Sequence, residues 1–373
     1  MDFEAVTTSP AYVFDQDAIL DNLKPLERLR EATGCKIIYS IKALPLLAVL
    51  ALLKGRVDGF SVSSLFEARL AREVLGEQGG SVHLTTPGLR TDEFAEISQL
   101  CSHISFNSLS QQARLFVAEH QHYSAGLRVN PKLSFVDDDR YNPCRQYSKL
   151  GVDWRLLQQA LPPGIEGLHF HTVFSREDFV PVLATVEKIL PLLKQHDLKW
   201  LNLGGGYLYN RIDDQQALIN LIKALTVSFG VEVYLEPGKA IVGNSGYLLT
   251  TVVDKFVSDG KTILVLDSSV NHHPEVFEYQ RQPSLYAVES GQERAILVGS
   301  SCLAGDVFGE YAFANLPNVG ERLVFENLGA YSLIKANRFN GYNLPEVYCY
   351  QQGRVELYKR YSYQDYRQQW CPD

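Results

Sequence analysis

Four features of this chain combine residue type and position in ways that chemistry can use. They are Lys42 at the end of K-I-I-Y-S-I-K, His171 in G-L-H-F-H-T, Gly204-Gly205-Gly206 after L-N-L, and Glu236 opening E-P-G-K. An amine in a partly desolvated pocket has a lowered pKa and becomes a nucleophile toward an aldehyde. The plain alternative is a lysine snorkelling at a strand end. Three bare glycines can wrap a phosphate with their amides, helped by a helix expected to start near Asp213, or can simply form a flexible turn. They match neither a Walker loop nor a Rossmann fingerprint. A carboxylate such as Glu236 against a pyridine nitrogen favours its protonated form, and such a ring is an electron sink; a strand-end turn is the commoner fate of E-P-G. His171 can stack on an aromatic ring, while His169, on the same side by alternation, is read as a core histidine. Together, the amine, the glycines and the carboxylate suit a phosphorylated aldehyde.

These residues fall at the ends of apolar, β-branched runs. The runs are Lys36–Ile41, Val57–Phe60, Ser81–Thr85, His103–Phe106, Gly126–Val129, Glu166–Phe170, Lys199–Leu203 and Glu232–Leu235. Helical spacing fills Leu44–Leu53, Ser64–Val74, Asp92–Leu100, Phe179–Lys194 and Gln215–Ser228 between them. Continuous apolar strands alternating with helices predict a (β/α)8 TIM-like barrel over residues 16–242, with functional side chains at the C-terminal strand ends. Lys42, His171, the glycines and Glu236 follow the first, sixth, seventh and eighth of these strands. A polar loop, Pro131–Gly151, interrupts the pattern and is long enough to be functional. Residues 243–373 instead read as a C-terminal all-β domain, with strands at Tyr247–Phe256, Thr262–Asp267, Ala295–Gly299, Arg322–Glu326, Glu346–Tyr350 and Val355–Tyr361. An opening strand, Ala11–Asp15 within residues 1–15, can join either domain.

The β domain adds candidates. In S-C-L-A-G-D, Cys302 is a thiol able to deliver a proton and Asp306 a carboxylate able to bind an amine. Taken alone, Cys302 reads as a buried, inert cysteine. Tyr331 in G-A-Y supplies a phenol for phosphate, and Asp267, closing T-I-L-V-L-D, is a further partner for a substrate ammonium.

Composition narrows the function classes. The chain has 373 residues and a net charge of −8, which disfavours nucleic acid and suits a cationic small molecule. No apolar run reaches membrane-spanning length and no secretory signal is visible, so a cytoplasmic protein without a membrane partner is expected. The six cysteines are scattered with no C-x-x-C pair, against a metal site and against a disulfide framework.

In this order, the motifs resemble the alanine-racemase-fold (fold type III) decarboxylases that use pyridoxal 5′-phosphate (PLP), the group containing the ornithine and diaminopimelate enzymes. The likeness spans nearly the whole chain. C-L-A-G-D at Cys302–Asp306, the bare G-G-G and E-P-G-x-A-I at Glu236 resemble most the carboxynorspermidine/carboxyspermidine decarboxylases of polyamine biosynthesis. The resemblance implies PLP held covalently on Lys42, with His171 on the ring face and Gly204, Gly205, Gly206 and Tyr331 at the phosphate. It implies Glu236 at the pyridine nitrogen, and Cys302 as the proton donor entering from the second subunit of a homodimer with shared active sites. Asp267 and Asp306 match positions near substrate, and Glu67 in L-F-E matches a carboxylate near the cofactor. Arg145 and Asn340 are implied neighbours.

Three departures stand out: Leu303 where relatives carry an acidic residue after the cysteine, Lys239 near the expected phosphate, and T-V-F-S after His171. Leu303 counts against ornithine and diaminopimelate as substrates. Alternatives are a decarboxylase of another diamino acid (diaminopimelate, ornithine or lysine) and a non-catalytic PLP carrier. A racemase or a sugar-phosphate barrel enzyme leaves more of these residues unexplained.

Overall fold

The computed structural model describes residues 3–76, 79–117 and 122–371. The chain divides into two units, Asn22–Ile241 and Met1–Asp21 with Val242–Asp373. Strand β1 (Ala11–Asp15) belongs to the second unit. It runs antiparallel to β11 (Gly246–Ser258) and parallel to β16 (Glu346–Gln351).

In the first unit β2 (Lys36–Ser40), β3 (Gly59–Val62), β4 (Ser81–Thr85), β5 (His103–Phe106), β6 (Ser124–Asn130), β8 (Ile165–His169), β9 (Trp200–Asn202) and β10 (Glu232–Leu235) pair in parallel and close into a ring. A two-residue strand, β7 (Val152–Asp153), hangs on β6 outside the ring. Helices α2 (Leu47–Leu53), α3 (Leu65–Leu75), α4 (Thr91–Leu100), α6 (Val180–Gln195) and α7 (Gln216–Phe229) connect strands as their apolar spacing predicts. Helices α1 (Gln16–Thr33) and α5 (Leu109–Leu115) are additional to those expected. Pro25 interrupts the pattern of α1, and α5 is a short helix capped by Ser108, whose hydroxyl accepts from Gln111 N at 3.1 Å. The strand expected at Val57–Phe60 starts two residues later. Asp58 is spent on the preceding turn, where its Oδ2 accepts from Ile37 N at 2.9 Å.

The floor of the barrel is filled by rings. His83 and His103 stack at 3.9 Å between centroids, flanked by Tyr234 and Trp200. Trp200 donates its indole N–H to Ser124 Oγ at 2.7 Å and lies against two glycines of neighbouring strands. A Cβ on Gly167 would stand 2.0 Å from the indole, and one on Gly126 would stand 2.3 Å from it, so both positions are glycine because Trp200 occupies the space. At the opposite end, the Pro131–Gly151 loop is bolted at its return. Asn107 Nδ2 donates to Lys149 O at 2.8 Å, Gly151 N donates to Asn107 Oδ1 at 3.0 Å, and Asn130 Nδ2 donates to Leu150 O at 3.0 Å.

The second unit is a mixed sheet in the order β14-β13-β12-β11-β1-β16-β17, with β15 (Arg322–Glu326) also on β11. Here β12 is Lys261–Leu266, β13 Glu293–Val298, β14 Val307–Phe313 and β17 Arg354–Lys359. Val6, Ala11, Val13, Leu249, Val324 and Tyr348 form its buried cluster. Strand β14 is additional to those expected, because Gly309 at φ +141° and a register shift at Leu297/Val298 break the alternation over Val307–Phe313. No helix among the described residues is long and apolar enough to cross a membrane.

Replacing Gly167 by Ala forces the indole out of its seat. Overpacking of this kind costs about 1–3 kcal/mol. A lowered urea midpoint with altered Trp200 fluorescence is expected; an unchanged midpoint would show that the floor does not need the glycine.

Candidate active site

Strand β2 ends at Ser40, and Ile41–Ala43 make one 3-10 turn whose outer members are buried, leaving Lys42 to face the barrel mouth. The turn is locked to E-P-G-K: Ser40 N donates to Pro237 O at 2.9 Å, and Gly238 lies so close that a Cβ there would meet Ala43 Cβ at 3.1 Å. Above it opens a cavity of about 720 Å³ lined by Lys42, Ser63, Arg128, His171 and the Pro131–Gly151 loop, Arg145 included. That volume suits a small-molecule ligand. Solvent reaches Lys42 through the opening, yet protein crowds it closely enough that desolvation holds its pKa below the usual lysine value. Glu236 and Glu67 oppose that shift, while Arg128 adds to it. The result is an amine biased toward its neutral, nucleophilic form.

Glu236 follows β10 and is 6% exposed. Its Oε1 accepts from Asn202 Nδ2 at 2.8 Å, and its Oε2 lies 3.7 Å from His169 Nε2. The other end of the Asn202 amide accepts from Gly204 N at 2.9 Å. Gly205 N donates to His171 Nδ1 at 3.2 Å. A ring nitrogen that accepts cannot carry a proton, so His171 is the neutral tautomer with its hydrogen on Nε2. Burial, then Lys42, Arg128 and His169, depress its pKa well below the ordinary histidine value.

The glycine turn thus differs from three open amides. Two are committed internally, leaving Gly206 N without an acceptor among the described residues. Glycine is required for close approach: a Cβ would fall 2.2 Å from Phe170 O at Gly204, 2.0 Å from Glu236 O at Gly205, and 2.4 Å from Val173 O at Gly206. The helix expected to start near Asp213 is α7, which begins at Gln216.

Glu67 sits in the first turn of α3, where its Oε2 accepts from Ser63 N at 2.7 Å and its own N donates to Ser64 Oγ at 3.2 Å. Burial raises its pKa, opposed by that amide and by Lys42. His169 is buried at 1% exposure, and neither ring nitrogen has a hydrogen-bond partner among the described residues. It is therefore less the satisfied core histidine of the sequence analysis than a member of this cluster. Lys239 holds its ammonium 5.6 Å above the Phe174 ring.

In the sheet unit, Cys302 is exposed, in contrast to the buried default for a cysteine, and its N donates to Asn340 Oδ1 at 2.7 Å. Asp267 Oδ1 accepts from Thr250 Oγ1 at 2.8 Å and Thr251 N at 2.9 Å, while its Oδ2 has no donor among the described residues. Asp306 differs from expectation. It is buried, with Oδ1 accepting from Val270 N at 2.8 Å and Oδ2 accepting from Ser301 N at 3.0 Å and from the Ser301 hydroxyl. Both oxygens tie the Cys302 loop to its surroundings. Tyr331 adopts φ +62°, a strained value for an aromatic residue, under the Lys335 ammonium at 5.5 Å.

Residues 11–329 match the family model described as pyridoxal-dependent decarboxylase, C-terminal sheet domain. The chain belongs to this family. It is 35% identical to carboxyaminopropylagmatine decarboxylase of Synechocystis, over 96% of this chain and 94% of that one. It is 31% identical to carboxynorspermidine/carboxyspermidine decarboxylase of Campylobacter jejuni, over 98% and 99% of the two chains. The crystal structure of Campylobacter jejuni carboxynorspermidine decarboxylase complexed with norspermidine superposes with a TM-score of 0.88 at 29% identity, covering 97% of this chain and 100% of that one.

The cofactor of this decarboxylase family is PLP, and the residues fit it. An amine of lowered pKa opens into a cavity of sufficient size, a neutral imidazole lines that cavity, and the Gly206 amide has no acceptor among the described residues. Two members of the cluster, Arg128 and Asn202, escape the sequence analysis. A buried arginine in the apolar strand G-L-R-V-N was the available signal, since such a charge persists only with partners. Asn202 gave none beyond its place before the glycines.

Burial also depresses the pKa values of His83, His169 and His171 well below the ordinary value and that of His103 to about 4. These histidines stay neutral in the folded chain while the unfolded chain takes up protons below about pH 6.5, so stability falls as pH drops from there toward 4. Urea melts across that range should show the decline; a flat profile would contradict the neutral assignments.

Proposed function

We propose that this decarboxylase acts on a carboxylated triamine, carboxynorspermidine or carboxyspermidine, releasing norspermidine or spermidine and CO2. The observation that carries the chemistry is the lowered Lys42 amine sharing one cavity with neutral His171, beside the buried Glu236. The substrate class rests on the full-length likeness to the Campylobacter jejuni enzyme.

Bound PLP supplies the electron sink that lets a carboxylate depart as CO2. Lys42 would hold the cofactor covalently through its amine of lowered pKa. Glu236 would hold the pyridine nitrogen in its protonated form, and His171 would contact the ring. Gly206 N would bind phosphate, with the Tyr331 hydroxyl as the further donor that the family likeness implies. Glu67 balances the charge on Lys42, and the free Oδ2 of Asp267 takes a substrate ammonium. Cys302 is the proton donor to the carbon that loses the carboxylate.

The active form is a cytoplasmic homodimer in which Cys302 serves the partner's Lys42. Its exposure, beside exposed Leu303, Phe277 and Phe339, supports a covered face, and six free cysteines suit a reducing compartment.

A second reading has one specific support, the Synechocystis relative: a substrate whose distal end is a guanidinium rather than an ammonium. Turnover of carboxynorspermidine, carboxyspermidine, carboxyaminopropylagmatine and diaminopimelate decides between them. CO2 release led by the first two is expected. Preference for the guanidino compound selects the second reading, and preference for diaminopimelate rejects both.

Lys42→Ala should lose the near-visible absorbance of lysine-bound pyridoxal, and Cys302→Ala should retain it while losing turnover. Mixing these two inactive variants should restore activity through hybrid dimers. No recovery, with hybrid dimers shown to form, would refute the shared site.

A further inference from the structure

The geometry points to Asn202 as a positioning residue that ties the phosphate end of the cofactor site to its ring-nitrogen end. Its side chain is 1% exposed at the last position of β9. Its Nδ2 donates to Glu236 Oε1 at 2.8 Å and its Oδ1 accepts from Gly204 N at 2.9 Å, so one planar amide spans from the carboxylate to the glycine turn. The backbone closes the same circuit, because Glu236 N donates to Gly204 O at 2.8 Å and Glu236 O lies where a Cβ of Gly205 would stand. Rotation of the Glu236 carboxylate and displacement of the turn are thereby one motion.

Residue chemistry explains the choice of asparagine. The position must donate toward an anion and accept from an amide at once, with both atoms on one rigid plane. Aspartate keeps the acceptor and loses the donor, setting two carboxyl groups face to face; leucine keeps the volume and loses both bonds. A donor lost from a buried carboxylate costs roughly tenfold or more in what that carboxylate binds.

This inference rests on the cofactor site proposed above, and its test separates the two. Apo-enzyme is titrated with PLP and with pyridoxal, which lacks the phosphate, following absorbance and equilibrium dialysis. The proteins are native, Asn202→Asp, Asn202→Leu, Glu236→Gln and the Asn202→Asp/Glu236→Gln double variant. Native protein that fails to bind PLP sinks the cofactor-site proposal itself. If native binds, Asn202→Asp should weaken both ligands by roughly tenfold with a shifted absorbance maximum, and Asn202→Leu should weaken PLP further than pyridoxal. The double variant should be less than additive, because Glu236→Gln removes the charge that the introduced carboxylate would oppose. Asn202→Asp with native affinity and spectrum overturns the assignment, as does full additivity. Since the aspartate variant retains the bond to Gly204, the test stands even where the leucine variant does not fold.

Discussion

A buried carboxylate must be held by donors or by cations, or it unsettles whatever surrounds it. Glu236 meets that demand with the Asn202 amide and with the fields of Lys42 and Arg128. Each cation is itself crowded by protein and shifted downward by desolvation, so neither group is stable in the mouth without the other. His169 and His171 stay neutral first because they are buried, and further because Lys42 and Arg128 stand near them. One charge balance therefore fixes a nucleophilic lysine, a neutral imidazole and an oriented carboxylate together. Changing any of the three changes the electrostatic setting of the rest.

The sequence made much of this architecture legible, for physical reasons that differ by element. Barrel strands such as Lys36–Ser40 and Glu232–Leu235 are buried on both faces and so read as continuous apolar runs. Their ends located Lys42 and Glu236 because charge after such a run has only the mouth to enter. The β14 strand escaped because Gly309 and a bulge spoil its alternation. The fate of the glycine amides was illegible for a deeper reason: whether an N–H is open depends on side chains that the fold brings from other strands. His171 comes from beyond β8 and Asn202 from β9, and no spacing in the sequence encodes their acceptors meeting Gly205 and Gly204. The Asp306 hydrogen bonds were illegible for the same reason, since Val270 and Ser301 reach it only through the fold of the loop.

Two of the departures from related sequences meet in space. Phe174, from T-V-F-S, carries the Lys239 ammonium on one ring contact at 5.6 Å and stacks on Tyr141 of the long loop at 5.2 Å. Tyr141 in turn lies under the Arg140 guanidinium at 5.5 Å. Contacts of this type contribute about 0.5–1 kcal/mol each when exposed. They make the aromatic residue at 174 and the cation at 239 interdependent in how the loop meets the rim. Asn107 and Asn130 bolt the loop's return, and the aromatic stack holds its middle.

The committed amides bear on how a cofactor is gripped. An open loop of three glycines would have to be ordered by its ligand, since glycine loses more backbone freedom than any other residue. Here the order is already present: Gly204 and Gly205 are tied to Asn202 and His171, and all three glycines abut backbone oxygens that exclude any other residue. The turn offers fewer donors than its sequence promises, and offers them from a fixed position. The bonds that hold the turn also fix the tautomer of His171 and the orientation of Glu236. Glycine at three consecutive positions thus serves close packing.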